Sequence, residues 1–148
     1  ASLWLRADAS DRTIVGFVST SAASVERARV KRGQGPELWP ALLIARMAVS
    51  IDRQRGGIGK RLLLHAFVVA DAQYKLSGCA AVIVDAKPKA VDYYRQFGFK
   101  DLLALPKDAP QGEKSPTRMY VSIDTVRHAI AEAAKLDAAS AAAPVPGD

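Results

Sequence analysis

A glycine-rich segment between an apolar stretch and an amphipathic one constrains this 148-residue chain more than any other feature. The segment is 53–60, Arg-Gln-Arg-Gly-Gly-Ile-Gly-Lys. The apolar run 41–49 before it predicts a strand, and the apolar spacing from Lys60 to Leu76 predicts a helix ending at Gly78. Such a loop offers unpaired backbone N–H groups and the positive end of a helix dipole, and glycine leaves room for a phosphate. The segment therefore predicts a pyrophosphate cradle in an α/β protein.

Two common phosphate-binding motifs do not fit this loop. The nucleoside triphosphate loop requires Ser or Thr after Gly-Lys, but Arg61 follows Gly59 and Lys60. The dinucleotide fingerprint requires G-x-G-x-x-G close after the strand and an acidic residue on the next strand. Here the glycines run G-G-x-G, residues 50–53 separate them from the strand, and Asp85 lies too far along the chain.

The loop resembles instead a cofactor-binding signature of the GCN5-related N-acetyltransferases, the GNAT family. Gln54, Gly57 and Gly59 match the family pattern Q/R-x-x-G-x-G/A. The resemblance implies acetyl-coenzyme A (acetyl-CoA) as co-substrate, with its pantetheine arm paired to a strand and its pyrophosphate on the loop. The residues implied for these contacts are Met47, Ala48, Val49, Gln54, Arg55, Gly56, Gly57, Ile58, Gly59 and Lys60. The alternative is an ordinary glycine-rich turn between a strand and a helix.

A second segment, residues 90–99, strengthens the resemblance because it matches the family pattern A-x-x-x-Y-x-x-x-G-F. Pro88 in the first turn and Gly98 as a left-handed cap predict a short helix there. The resemblance implies that Tyr94 directs its hydroxyl at the coenzyme A sulfur and acts as the general acid. Tyr93 is interpreted as a core aromatic residue.

A third set of residues narrows the resemblance to the TacT-type toxins, which acetylate the amino acid carried on charged tRNA. The residues that follow the toxin pattern in order are Gly16-Phe17, Ser24-Val25, Lys31-Arg32, Pro36, Pro40 and 45–49. The resemblance implies aminoacyl-tRNA as the acceptor, a ribbon-helix-helix antitoxin as a partner, and a homodimer. Arg29, Lys31 and Arg32 become candidate tRNA contacts, with a solvated basic loop as the alternative.

The fold class that follows is α/β (α+β), with the mixed, mostly antiparallel sheet of the GNAT fold. This sheet is expected to splay at the acetyl-CoA site and to be flanked by helices. The predicted strands are 3–6, 13–19, 41–49, 80–84, 99–103 and 119–123, with a loop over 26–40. The family domain is expected over 1–124, without the usual first strand and N-terminal helices. A helix from Thr125 to about Lys135 and a disordered Ala/Pro-rich tail over 138–148 are expected after it.

Charge and composition indicate which partners and which cellular compartment to expect. The formal net charge of +6 favours an anionic partner such as nucleic acid or coenzyme A. A cytoplasmic protein without membrane contact is expected, because no apolar run reaches membrane-spanning length and no secretion signal is recognisable. The single Cys79 cannot form an internal disulfide, which agrees with a reducing compartment. His65 and His128 are isolated, which predicts no metal site.

Three functional hypotheses follow from the sequence. The favoured one is an acetyl-CoA-dependent toxin that acetylates aminoacyl-tRNA. The second is an N-acetyltransferase for a small-molecule amine or a protein N-terminus, and the third is a catalytically degenerate GNAT fold used as a binding module. No general base is recognisable, which favours an α-amine acceptor, because an α-amine titrates near ~8 and a lysine amine near ~10.

Overall fold

The computed structural model describes residues 2–6, 13–30 and 35–142 of the chain. Six strands form one sheet in the order β1-β2-β3-β4-β6-β5. The strands are β1 Ser2–Arg6, β2 Ile14–Glu26, β3 Leu38–Val49, β4 Ala81–Ala86, β5 Lys100–Asp101 and β6 Thr117–Ser122. The helices are α1 Ile58–Ser77, α2 Val91–Arg95 and α3 Ile123–Ala142, with short 3-10 turns at Arg27–Arg29, Ile51–Arg53 and Pro88–Ala90. Only β3 and β4 pair in parallel within this described sheet, so the predicted mixed, mostly antiparallel sheet is confirmed.

The parallel pairing between β3 and β4 ends early, at Ile44 and Val84. β2, in contrast, pairs with β3 as far as Val49. The β3–β4 pairing ends where the β2–β3 register shifts, because Ala45 is an extra residue on β3. A bulge of this kind bends its strand and increases the local twist. Residues 45–49 therefore leave their β4-facing edge unpaired within the described sheet, and the sheet splays there as predicted.

Two apolar clusters cover the two faces of the sheet. The larger cluster lies between the sheet and helices α1 and α3, and its fully buried side chains include Leu62, Leu63, Val82, Met119 and Val121. The smaller cluster contains Val25, Val30, Trp39, Ala41 and Ile83. Because successive side chains of a strand point to opposite faces, Ile83 between Val82 and Val84 places the smaller cluster on the face away from the helices.

Helix α1 follows the glycine-rich loop directly and packs one apolar stripe against the sheet. The buried residues of this stripe are Leu62, Leu63, Ala66, Phe67 and Ala70, spaced by three and four as an amphipathic helix requires. Gly78 ends the helix with φ 76° and donates its N–H to the carbonyl of Tyr74 at 3.0 Å. This left-handed cap confirms the predicted helix end. No helix in the described residues is long and apolar enough to cross a bilayer.

The β2–β3 hairpin is longer than the sequence predicts. β2 continues to Glu26 and β3 begins at Leu38, so the predicted loop over 26–40 was too long. The second half of β2 consists mainly of Ser, Thr and Ala, which show little apolar alternation. Pairing with β3 decides the conformation there, because strand preference depends strongly on cross-strand neighbours.

The C-terminal helix is also longer than predicted, and the strand after α2 is shorter. α3 runs to Ala142, so residues 138–142 of the predicted disordered tail are helical, and 143–148 lie outside the described residues. Alanine has the highest intrinsic helix propensity, which explains the extension. β5 contains only Lys100–Asp101 instead of the predicted 99–103.

A substitution that creates a cavity between α1 and the sheet tests this packing. Leu62 is 0% exposed, so Leu62→Ala should lower the free energy of unfolding by about 2–5 kcal/mol. Leu76→Ala is the control, because Leu76 lies on the same helix at 81% exposure and should change the value by less than about 0.5 kcal/mol. Urea titration followed by circular dichroism measures both, and equal losses would contradict the described orientation of α1.

Candidate functional site

The glycine-rich loop opens helix α1 in the way that a phosphate cradle requires. Gly57 precedes the helix with φ 80°, and no atom lies within 4 Å of the position that a Cβ would take. The first helical hydrogen bond runs from the Arg61 N–H to the Gly57 carbonyl at 3.1 Å, so the amides of Ile58 to Lys60 have no intrahelical acceptor. Arg55 also adopts a positive φ of 75°. The loop therefore presents free N–H groups to open space at the positive end of the helix dipole.

Side-chain contacts fix the loop against the end of β3 and against β2. The Gln54 side-chain amide donates to the carbonyl of Val49 at 3.4 Å. Ile58 packs on β2 at Gly16, where a Cβ would lie 2.9 Å from its Cγ2 atom. Met47 and Val49 pack against the larger core cluster, while Ala48 is exposed on the other face of the strand. Arg55, Gly56 and Lys60 are exposed.

Tyr93 leaves no room for a side chain at Gly59. A Cβ at this position would lie 2.6 Å from the hydroxyl oxygen of Tyr93 on α2. The Tyr93 ring meets the rings of Tyr94 and Phe97 edge-on, at centroid distances of 5.5 and 5.1 Å. Its hydroxyl is buried and has no hydrogen-bond partner among the described residues, and burial raises its pKa. Tyr93 therefore packs against the core, as predicted, and its hydroxyl also excludes a side chain at Gly59.

Tyr94 is held by its neighbours on α2 and by the start of the following strand. It is 7% exposed, and its ring meets Phe99 edge-on at 5.3 Å. Burial, assisted by the neighbouring Tyr93, raises the pKa of Tyr94 to about 12. Its hydroxyl therefore keeps its proton at neutral pH and is available there as a hydrogen-bond or proton donor. Tyr94 shares the larger core cluster with Val84 and Ala86 of β4, on the far side of the gap from Met47 and Val49.

A cleft of about 1050 Å³ lies next to this gap, beneath the loop between β5 and β6. Arg118 on β6 donates to both carboxylate oxygens of Asp85 on β4, at 2.7 and 2.8 Å. This hydrogen-bonded pair holds the pKa of Asp85 below its usual range. Asp85 lies just beyond the end of the β3–β4 pairing, so the cleft and the gap meet at this residue.

Arg29 ties the loop over the cleft to the turn after β2. Its guanidinium donates to both carboxylate oxygens of Asp108, with Nη2 2.6 Å from Oδ1, and to the carbonyl of Leu103 at 3.2 Å. The backbone N–H of Leu103 returns a bond to the Arg29 carbonyl at 3.0 Å. The Arg29 hydrogen bond holds the pKa of Asp108 well below its usual range. Of the three candidate tRNA contacts, Arg29 is thus engaged within the protein at 18% side-chain exposure, and Lys31 and Arg32 lie outside the described residues.

Sequence reasoning missed the two contacts that shape this site most. The Tyr93 hydroxyl meets Gly59, and Arg29 meets Asp108, at separations of 34 and 79 residues along the chain. The only signal for the first contact was the tyrosine doublet itself. The second had none, because Arg29 belongs to a basic run whose members look alike. Among the described residues, no group of three His, Cys, Asp or Glu side chains could hold a metal.

Comparison with known proteins identifies the family. The profile of the acetyltransferase (GNAT) domain matches residues 2–101, so the chain belongs to the GNAT family. Similar solved structures include one described as a bacterial toxin, with a TM-score of 0.68 at 23% identity, covering 79% of this chain and 64% of that chain. AtaT complexed with acetyl-methionyl-tRNAfMet gives a TM-score of 0.68 at 19% identity and coverages of 82% and 70%.

A third similar structure is a Tyr-to-Phe variant of AtaT bound to acetyl-CoA and to the C-terminus of the antitoxin AtaR. It gives a TM-score of 0.61 at 20% identity, covering 78% of this chain and 63% of that chain. The chain thus spans slightly less than two thirds of the length of two of these three structures. At these identities the likeness confirms the predicted GNAT fold.

A double-mutant cycle tests the contact between Gly59 and Tyr93. Gly59→Ala should lower the free energy of unfolding by about 1–3 kcal/mol, because the new methyl group overlaps the Tyr93 hydroxyl. Tyr93→Phe alone should be nearly neutral, because the lost hydroxyl has no partner. The double variant should recover at least ~0.5 kcal/mol beyond additivity in urea unfolding.

Gly56→Ala is the matched control for this cycle, since its added Cβ would meet only the Arg53 carbonyl at 3.5 Å. It should show no coupling to Tyr93→Phe. Additive effects of Gly59→Ala and Tyr93→Phe would mean that Gly59 is needed for another reason.

Proposed function

We propose that this protein transfers the acetyl group of acetyl-CoA to the α-amine of aminoacyl-tRNA and so blocks translation. One observation carries the proposal: the free edge of β3, the amides that open α1, and the Tyr94 helix converge on one gap in the sheet of a GNAT-family chain. The similarity to AtaT complexed with acetyl-methionyl-tRNAfMet supports the choice of acceptor.

The residues around the gap fit acetyl-CoA. The unpaired edge of residues 45–49 offers backbone groups to the amides of the pantetheine arm, as a sheet edge does to an added strand. The amides of Ile58, Gly59 and Lys60 would hold the pyrophosphate, and the open space at Gly57 would admit it. When bound, acetyl-CoA supplies an activated thioester that an amine can attack directly.

Tyr94 would donate a proton to the departing thiolate of coenzyme A. Its hydroxyl would donate a proton to the sulfur as the carbon–sulfur bond breaks, and it would regain one from the ammonium group that forms when the amine attacks, so the proton lost by the amine balances the one gained by the thiolate. A pKa of about 12 keeps the proton on Tyr94 until that moment. The apolar packing that raises the Tyr94 pKa also disfavours a free thiolate, and so favours its protonation.

The carboxylates of the cleft favour an acceptor that needs no strong base. The pKa values of Asp85 and Asp108 are both lowered by arginine partners, so these groups stay ionised and accept protons poorly. An α-amine titrates near ~8 and is partly neutral at physiological pH without help. Aminoacyl-tRNA carries such an amine.

The three proposed tRNA contacts have two different roles in this proposal. Lys31 and Arg32 remain proposed phosphate contacts. Arg29 would act by holding the loop over the cleft, because Asp108 already neutralises its charge. A ribbon-helix-helix antitoxin and a homodimer complete the proposal, and the similarity to AtaT bound to the C-terminus of AtaR supports an antitoxin.

A small cationic amine, or a protein N-terminus, is the second candidate acceptor. The cleft favours it because carboxylates outnumber arginines in its lining. The acidic lining residues are Glu26, Asp85, Asp92, Asp101, Asp108 and Glu113, against Arg29 and Arg118. Several of these carboxylates are paired, which reduces the attraction that they exert on a cation.

Two glycines at opposite ends of α1 allow a matched test of the cradle. Gly57 and Gly78 have φ values of 80° and 76°, and neither has an atom within 4 Å of its added Cβ. Gly57→Ala and Gly78→Ala should therefore cost similar stability, about 1 kcal/mol or more from backbone strain. Only Gly57→Ala should weaken acetyl-CoA binding, by roughly tenfold, because its methyl group enters the proposed phosphate site.

Isothermal titration calorimetry with acetyl-CoA measures this difference. Equal affinity of the two folded variants would falsify the assignment of the loop as the cradle.

Transfer of labelled acetyl groups from acetyl-CoA to charged tRNA tests the reaction. The parent protein should acetylate charged tRNA, and Tyr94→Phe should reduce turnover by roughly 10²-fold while the protein remains folded. Tyr93→Phe should stay close to the parent. The rate should rise with pH through the pKa of the amine, which lies below the ~8 of a free α-amine because the carboxyl is esterified. It should show no falling limb near neutral pH, because the pKa of Tyr94 is raised to about 12.

Three results would count against parts of this proposal. Full activity of Tyr94→Phe would remove Tyr94 as the acid. A falling limb near neutral pH would mean that another acid is essential. Acetylation of small amines without acetylation of charged tRNA would favour the second acceptor.

A further inference from the structure

Asp85 lies at the same gap as the proposed acid, but on the opposite face of the sheet. Its neighbours Val84 and Ala86 belong to the larger cluster together with Tyr94, so the side chain of Asp85 points to the face away from the helices. Ile83, two residues earlier, packs in the smaller cluster on that face. Because the pairing of β4 with β3 ends at Val84, Asp85 is the first residue of β4 beside the gap.

The cleft beneath the loop between β5 and β6 opens onto the same face. Its lining includes Val25 of the smaller cluster as well as Asp85 and Arg118. On the helix face, Met47 and Val49 pack against the larger cluster, which fills the space beside the gap. An acceptor that reaches a thioester held in the gap is therefore expected to come through the cleft and to pass Asp85.

Arg118 holds the carboxylate of Asp85 in a fixed position and leaves part of it available. Its Nε and Nη2 atoms donate to Oδ1 and Oδ2 of Asp85, at 2.7 and 2.8 Å. A bidentate arginine uses two of the roughly four lone-pair directions of a carboxylate, so the carboxylate can accept further hydrogen bonds.

We propose that Asp85, held by Arg118, binds and orients the amine of the acceptor. One N–H of the neutral amine donates to the carboxylate, and the nitrogen lone pair is thereby directed at the thioester carbon in the gap. Asp85 takes no proton in this step, so the proton balance between the amine, Tyr94 and the thiolate is unchanged. The inference rests on the proposed function, and it identifies the residue that recognises the reacting group of the acceptor. We call Asp85 and Arg118 the amine subsite.

The arginine partner suits a site that must bind an amine without trapping it as ammonium. A bare carboxylate beside an amine favours the protonated form, which has no lone pair for attack. A guanidinium bound to the same carboxylate opposes this effect and keeps the pKa of the amine near its ordinary value. Removal of one charge of the pair or of the other should therefore shift the pKa of the bound amine in opposite directions.

The other charged groups around the cleft leave Arg118 as the main electrostatic neighbour of Asp85. The charged lining residues outside the amine subsite are Glu26, Arg29, Asp92, Asp101, Asp108 and Glu113. Most of them form ion pairs with a neighbouring residue. The hydrogen bond from Arg118, and then its charge, lower the pKa of Asp85 against the effect of burial. The carboxylate therefore stays ionised at neutral pH, and a pH profile of the variants reports on the amine.

The pH dependence of acetyl transfer to charged tRNA distinguishes this role from a structural one. Asp85→Asn leaves the charge of Arg118 uncompensated, which disfavours ammonium, and should move the rising limb of the rate about one unit to lower pH. Arg118→Gln leaves the charge of Asp85 uncompensated and should move the limb about one unit to higher pH. Arg118→Lys, which keeps the charge, should stay close to the parent.

A purely structural ion pair predicts a different result. Either substitution breaks the pair, so both variants would then shift the limb in the same direction or leave it in place, and the proposal would be overturned. Both variants should fold, because the side chains of Asp85 and Arg118 are 44% and 51% exposed and such pairs contribute little to stability.

Binding of alanine methyl ester to the protein saturated with coenzyme A measures the amine contact without turnover. This probe carries an α-amine next to an ester, as the aminoacyl end of tRNA does. In calorimetry, Asp85→Asn should weaken its binding roughly tenfold, the loss of one charge-assisted hydrogen bond. Methyl propionate, which lacks the amine, should bind the parent and the variant alike. Equal affinity of the two proteins for the amino ester, or no binding to the parent, would overturn the proposal.

The chain offers a matched ion pair on the helix face of the sheet. The Nε atom of Arg127 on α3 lies 3.1 Å from Oδ1 of Asp71 on α1, and the Arg127 side chain is about as exposed as that of Arg118. Arg127→Gln should leave ester binding and the pH limb unchanged. A shift equal to that of Arg118→Gln would mean that the loss of any such pair affects the site, and the proposal would be wrong.

Charged tRNA and the ester together separate this inference from the proposed function. If the parent acetylates charged tRNA, and Asp85→Asn matches it in the pH limb and in ester affinity, the amine subsite is wrong while the function stands. If the ester binds through Asp85 but charged tRNA is never acetylated, the function is wrong while the amine subsite stands.

Discussion

The bulge at Ala45 turns the second half of β3 away from β4, and the candidate site depends on that turn. Had the parallel ladder continued, the backbone groups of residues 45–49 would be hydrogen-bonded to β4 and closed to a ligand. The glycine-rich loop starts only a few residues later, so the same strand that frees its edge also delivers the amides of α1. A strand edge with unpaired backbone groups and the proposed phosphate cradle thereby follow one another along one short stretch of backbone.

Helix α2 connects this stretch to Tyr94, the proposed acid. It has only five residues, too few to hold its position by itself, and its aromatic side chains supply the anchoring. Tyr93 packs toward the loop at Gly59, and Tyr94 packs toward Phe99. A displacement of the loop would therefore reach Tyr94 through direct ring contact. The proposed phosphate site and the proposed acid are parts of one packed unit.

Local sequence signals predicted the parts of the fold that local forces decide. The turn from β3 into α1, the cap at Gly78 and the short helix around Tyr94 were all predicted from glycine and proline positions and apolar spacing. The length of β2 was not, because its Ser- and Ala-rich half gains its conformation from pairing with β3. The helical part of the expected tail was missed because alanine content was read as disorder rather than as helix propensity.

For the candidate site, the sequence predicted the local motifs but not the contacts between them. The order of the motifs indicated the family, which the domain profile confirms, but contacts between distant residues could not be predicted. Arg29 is the example: its neighbours in sequence suggest RNA, whereas its partner Asp108 is 79 residues away and makes it an anchor for a loop. Whether a basic residue binds a ligand or a carboxylate of its own chain depends on contacts between distant residues, which a local sequence pattern does not predict.

The unpaired segment of β3 also affects the tendency of the ligand-free protein to aggregate. Exposed strand edges invite strands from other chains, and most proteins protect them with charges, bulges or covering elements. Here the exposed edge lies inside the sheet rather than at its margin, and the proposed pairing with acetyl-CoA requires that it stay open. Any occupant that pairs with it, and does not bind the unfolded chain, adds stability by mass action, about 2.7 kcal/mol at a hundredfold excess over its Kd. The resistance of this protein to aggregation therefore depends on the concentration of the ligand that pairs with residues 45–49.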